Sequence, residues 1–160
     1  QNMTDKKTAD FIRGQLLKNQ ETIAVAESVT GGLLQSAFAS MQFALQFFQG
    51  GITVYNLGQK VKHLHIDPIY AQSCNCVSER IAKEMALNVC KVFHSTYGLG
   101  ITGYDTPVPE SGNRVFAYYA IAKNGTIVLF KKLNAKGSSD EVKIFYIDCI
   151  VEALKGILGK

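Results

Sequence analysis

Three polar groups in this chain each follow an apolar, β-prone run, and together they could carry out acyl chemistry. Ser28 lies in Ala26-Glu27-Ser28-Val29-Thr30-Gly31-Gly32, between the apolar run 23–26 and a helical repeat that starts at Leu33. A serine hydroxyl becomes a nucleophile once a base takes its proton. Backbone N–H groups at a helix N-terminus can hold an oxyanion or a phosphate, and Gly31 and Gly32 would let a ligand approach closely. The same stretch also reads as a plain helix start, with Ser28 or Thr30 as the N-cap. Tyr55 and Lys60 follow the next apolar run. Lysine acts as a base only when neutral, which requires burial or a nearby positive charge; otherwise Lys60 is a surface lysine. Thr102-Gly103 closes a third run and offers a hydroxyl and backbone groups, or ordinary strand-end turn chemistry.

Other sets are weaker. His63-x-His65 and Cys74-x-Cys76 supply four soft ligands, but the spacing does not suit the common structural zinc sites, so no metal is expected. No Ser-His-Asp set can be nominated from spacing, and no phosphate-binding or dinucleotide glycine fingerprint occurs. Asp105, Glu110 and Arg114 read as solvated loop charges.

The elements that must position these groups alternate in type. Residues 4–19 form an amphipathic helix opened by Thr4 or Asp5, with Phe11, Ile12 and Leu16 on one face. A strand at 22–26 precedes a helix beginning near Thr30, and 44–48 suits one helical turn. Ile52-Thr53-Val54-Tyr55 reads as the second strand, 58–64 as one or two helical turns, and Pro68 as part of the loop beyond. Ser78 opens the clearest helix, with Ile81, Met85, Val89 and Val92 on one stripe. A strand at 97–102 leads into the turn-rich GYDTPVPESGN. Asn124-Gly125 then joins two strands, 114–122 and 126–133, into a hairpin, and a helix over 139–158 closes the chain. This order predicts a three-layer α/β/α sandwich with a mostly parallel mixed sheet and an antiparallel hairpin at one side. The loops 27–32, 55–60 and 102–113 each follow a strand, where α/β sheets place their ligands.

The 160 residues suit a single domain, taken as 3–160, with Gln1 and Asn2 before a methionine set aside as an appendage. The net charge of +4 is spread along the chain, which speaks against a nucleic-acid partner. No run reaches the roughly 18 apolar residues of a membrane span, and no signal-peptide core is seen. With four cysteines and no disulfide framework, a cytoplasmic protein with free thiols is expected.

Taken together, AESVTGGLL, FFQGGITVYNLGQK, CVSERIAKEMA and GLGITGYDTP resemble, in order and over essentially the whole chain, the signature segments of the CinA C-terminal domain and nicotinamide-nucleotide amidohydrolase family. That resemblance implies hydrolysis of the carboxamide of nicotinamide mononucleotide, a linear amide C–N bond, giving nicotinate mononucleotide and ammonia without metal or cofactor. It puts the nucleophile on Ser28, the base on Lys60, and supporting roles on Tyr55 and Thr102. A small-molecule nucleotide would be held around Thr30, Gly31, Gly32, Gly51, Asn56 and Gly103. The chain departs from the family pattern at Val29, at Asn56-Leu57, through 104–109, and at Ser139, where the family carries an arginine. Those departures keep a second expectation alive, a domain that binds nucleotide or anion without turnover. The aromatic-rich FALQFF segment adds a third, an interaction module or homo-oligomer contact.

Overall fold

The computed structural model describes residues 4–160, so Gln1, Asn2 and Met3 of the expected domain lie outside the described residues. Helix α1 (Lys6–Lys18) starts where the sequence suggests: the Asp5 carboxylate accepts the N–H of Thr8 at 2.9 Å, and Thr8, Ile12 and Leu16 form the buried face. Strand β1 (Ile23–Glu27) is buried along its whole length. Helix α2 (Leu33–Ala39) and a 3₁₀ turn (Ala44–Gln46) lead to β2 (Phe48–Thr53). Helices α3 (Leu57–Leu64), α4 (Pro68–Ser73) and α5 (Glu79–Phe93) then precede β3 (Tyr97–Gly103). A 3₁₀ turn (Pro109–Ser111), the hairpin β4 (Phe116–Lys123) and β5 (Thr126–Asn134), and α6 (Ser139–Leu158) complete the order. Helix α6 opens with a full capping box between Ser138 and Glu141.

The five strands form one sheet in the order β2-β1-β3-β4-β5. Strand β1 pairs in parallel with β2 and β3, while β4 is antiparallel to both β3 and β5. Only β4 therefore runs against the others. Side chains alternate across the sheet, and each face buries its own cluster. Ile23 and Val25 of β1 join α1, α2 and α6 through Ile12, Leu34, Phe38, Ile147 and Leu154. Ala24 and Ala26 face the opposite layer with Leu64 of α3, Ala71 of α4, and Ile81 and Met85 of α5. The result is the expected α/β/α sandwich. No helix is long and apolar enough to cross a membrane among the described residues.

Two elements differ from expectation. Strand β2 begins at Phe48, because Gly50-Gly51 lie within it. A Cβ on Gly50 would sit 2.9 Å from the Phe93 ring, and one on Gly51 would sit 2.7 Å from the Val25 carbonyl oxygen. The glycines are therefore packing residues of a strand rather than a break before it. Pro68 does not lie in a loop; it occupies the first turn of α4, capped by Asp67, whose carboxylate accepts the N–H of Ile69 at 3.0 Å.

Helix α5 lies directly on β3, and two glycines permit that approach. A Cβ on Gly98 would overlap the Ala86 carbonyl oxygen, and one on Gly100 would sit 2.5 Å from the Ala82 carbonyl oxygen and 2.6 Å from the Ala86 nitrogen. The obstacles are helix backbone, which cannot swing aside. Gly100→Ala is expected to destabilise the fold by about 1–3 kcal/mol, as overpacked cores do. Gly156→Ala, at an exposed position of α6 where a Cβ meets nothing within 4 Å, is expected to be neutral or stabilising by about 0.5–1 kcal/mol. Thermal melts of the two variants beside the parent check the pair.

Candidate active site

Because β1, β2 and β3 run the same way, their C-terminal ends share one edge of the sheet, and Ser28, Val54 and Thr102 come together there. Ser28 is the first residue past β1 and is nearly buried. The chain turns at once, since the N–H of Gly31 donates to the Ser28 carbonyl at 3.0 Å. Gly31 and Gly32 both take positive φ (61° and 104°), a conformation open to glycine, and this lets α2 start at Leu33.

The partner of Ser28 comes from α3. Asn56 caps that helix by accepting the N–H of Gln59 at 3.0 Å, and the buried stripe runs through Leu57, Lys60 and Leu64. Lys60 thus stands one turn into the helix at an apolar position, and only 1% of it is exposed. Its Nζ lies 3.1 Å from Ser28 Oγ and donates to the Val54 carbonyl at 3.0 Å. Val54 is held in register by donating its own N–H to the Glu27 carbonyl at 2.9 Å. Both contacts of the amine are to neutral oxygens. Burial holds the Lys60 amine below the ordinary lysine range, and a charge on the Cys76 thiol would act the other way. Burial also pushes that thiol up, which keeps it from becoming a strong anionic neighbour.

Thr102 is buried, but its hydroxyl donates to the Cys76 carbonyl at 2.6 Å rather than to Ser28 or Lys60. It fastens β3 to the Asn75-Cys76 turn, both of whose residues have positive φ. Asp105, a loop charge in the sequence reading, is half-buried; it accepts the Ser139 hydroxyl and pairs with Lys143 at 3.6 Å. The loop after β3 is thereby tied to α6, an attachment reinforced by the Tyr146 hydroxyl donating to the Tyr104 carbonyl at 2.8 Å.

Several sequence expectations need correction. Tyr55 is 63% exposed and its hydroxyl reaches neither Ser28 nor Lys60, because the chain at β2's end turns its side chain to solvent. Gly51 pairs with Val25 inside the sheet beneath Gln35, so its small size serves packing. Gly103 pairs with Ala117, where a Cβ would sit 2.5 Å from the Ala117 Cα. Asn56 spends its side-chain oxygen on capping α3. The N-terminus of α2, expected to cradle a phosphate, is already filled. The buried Glu27 carboxylate accepts the N–H of Leu34 at 3.0 Å, the N–H of Gln35 at 2.7 Å and the Thr30 hydroxyl. Among the described residues, the N–H groups of Thr30 and Gly32 donate to no protein group. In FALQFF, Phe47 is buried while Phe43 and Leu45 are exposed.

Glu27 and the Val54 carbonyl are the functional groups that sequence reasoning missed. Strand alternation was the available signal for Glu27, since it puts residue 27 on the face of Val25. No side-chain pattern marks a backbone carbonyl. His63 bonds Gln59 on the surface of α3 at 3.0 Å, and no three His, Cys, Asp or Glu side chains converge for a metal among the described residues.

The family model of the CinA C-terminal domain matches residues 5–158. A CinA-like protein of Solibacter usitatus is 32% identical over 154 residues, covering 93% of this chain and 36% of its own length. A protein of Alkaliphilus oremlandii described as competence-damage inducible is 35% identical over 144 residues, covering 87% of this chain and 34% of its own. The chain thus spans about a third of the length of these curated relatives. Among solved structures, a CinA superfamily protein of Klebsiella pneumoniae superposes with a TM-score of 0.91 at 21% identity, covering 99% of both chains. A competence or damage-inducible protein of Enterobacter asburiae does so at 0.90 and 21%, covering 95% of this chain and 96% of its own. The match over 5–158 and the identity to these relatives place this chain in the CinA C-terminal domain family, and the fold agrees.

Proposed function

We propose that the chain is a serine–lysine amidohydrolase that cleaves the carboxamide of a nicotinamide nucleotide, with nicotinamide mononucleotide as the substrate to test first. The observation that carries this reading is the Ser28–Lys60 contact at 3.1 Å, with the amine buried and bonded to two neutral oxygens. A neutral amine keeps one N–H on the Val54 carbonyl and offers its lone pair to the Ser28 hydroxyl. As Oγ forms a bond to the amide carbon, the hydroxyl proton moves to Nζ and the carbonyl oxygen takes the negative charge. The unpartnered N–H groups of Thr30 and Gly32 are the donors proposed for that oxyanion, a role usually worth about 3–4 kcal/mol per donor. Collapse breaks the C–N bond while the ammonium of Lys60 protonates the departing nitrogen, which leaves as ammonia. Water, deprotonated by the restored amine, then attacks the acyl-serine, giving the carboxylate and free Ser28.

A second reading, a ligand-binding domain without turnover, is favoured by one observation. Asp105 faces Ser139 and engages Lys143, so a carboxylate stands in the region where the family pattern has an arginine. Ammonia release from nicotinamide mononucleotide separates the two readings. The hydrolase reading expects turnover that falls by about 10³-fold or more in Ser28→Ala and in Lys60→Ala. Turnover surviving in Ser28→Ala removes the nucleophile. An inactive parent that still binds the nucleotide in a calorimetric titration supports the second reading.

The base must be neutral to act, so kcat/KM is expected to rise with pH to a plateau. Its midpoint should lie below the ordinary lysine range, because burial lowers Lys60. Stability follows the same titration. The unfolded chain protonates Lys60 at the ordinary value and the folded chain at a lower one, so folding gains stability as pH rises between them. The melting temperature of the parent relative to Lys60→Met is therefore expected to climb as pH rises toward the ordinary lysine value of about 10.4 and to level off above it. A gap independent of pH contradicts the depressed amine.

A further inference from the structure

We infer that Glu27 is a positioning residue for the nucleophile, clamping the 28–32 turn to the start of α2 from the far side of the sheet. The inference rests on the serine–lysine reading above. Glu27 is fully buried and ends β1, one residue before Ser28. Oε1 accepts the Thr30 hydroxyl and the Leu34 N–H at 3.0 Å, and Oε2 accepts the Gln35 N–H at 2.7 Å. Gln35 in turn donates from Nε2 to the Thr53 hydroxyl at 2.8 Å, which ties the same helix turn to the end of β2. All the partners of the carboxylate are donors belonging to the turn or to the helix it feeds.

Strand alternation explains why this clamp does not spoil the base. Residues 23, 25 and 27 face the α2 layer, whereas residues 24, 26 and 28 face the α3 layer. Ser28 meets Lys60 on one side while the carboxylate is held by helix N–H groups on the other. A carboxylate beside Lys60 would keep the amine charged. Facing α2, it is stabilised by the positive end of the helix and adds rigidity without adding a counter-ion at the amine. Glu27 directly precedes Ser28 and bonds the turn that follows it, so loosening the carboxylate loosens the nucleophile.

Glu27→Gln tests this. The side chain keeps its size, but its amide has one acceptor oxygen and an NH₂ group for a site built from three donors, so at least one N–H is left facing another donor. With folding verified by circular dichroism and melting, kcat is expected to fall on the order of 10- to 100-fold, the cost of a small misplacement of reacting groups. KM should change by less than about 2-fold, and the pH midpoint of kcat/KM should stay put. Labelling of Ser28 by a fluorophosphonate should slow in parallel. A folded Glu27→Gln protein with parental kcat and labelling rate, and only a lowered melting temperature, overturns the inference and leaves the hydrolase reading standing. A parent that neither turns over nor labels overturns both together. Should Glu27→Gln fail to fold, Thr30→Val decides, since it deletes one donor and leaves both helix N–H groups paired. A fall in kcat on the order of 10-fold with unchanged KM is expected there, and parental kcat overturns the clamp.

Discussion

The site depends on placing a lysine where an apolar residue would normally go. Lys60 occupies the buried stripe of α3 between Leu57 and Leu64, and among the described residues its amine bonds the Ser28 hydroxyl and the Val54 carbonyl. Burial of an ammonium without a counter-ion is unfavourable, and the amine answers by giving up its proton more readily. That same penalty is what would let Lys60 serve as the proposed base. Among the described residues no carboxylate pairs with it: Glu27 faces α2, and Asp105 bonds Ser139 and Lys143.

Three parallel strand ends make this arrangement possible. Strand β1 delivers Ser28, β2 delivers Val54 and the cap of α3, and β3 delivers Thr102, which anchors the turn carrying Cys76. The glycines at 98 and 100 allow α5 to lie close on β3 and close the layer containing Lys60. Stability and chemistry are thus coupled through backbone contacts as much as through the site's own side chains.

Much of this was legible in the sequence. Helical periodicity located α5 and α6, and Asn124-Gly125 marked the hairpin. The order Ser28, Lys60, Thr102 pointed to one edge of one sheet. What escaped had physical causes. Gly50-Gly51 imitate a strand break, yet their missing side chains are filled by Phe93 and Gln35. Pro68 imitates a loop, although Asp67-Pro68 is a good helix start. The family resemblance implied a supporting role for Tyr55, but its side chain turns to solvent. The free helix terminus expected at α2 is filled by Glu27, a long-range consequence of which face residue 27 takes.

A neutral Lys60 beside Ser28 at working pH is what the proposed chemistry requires, and a direct titration tests it best. NMR of the folded protein with isotope-labelled lysine side chains, with Lys60→Met to assign the resonance, follows each amine as pH is raised. The Lys60 resonance is expected to titrate clearly below the main group of lysines near about 10.4. A Lys60 that titrates together with the surface lysines would contradict the proposed base.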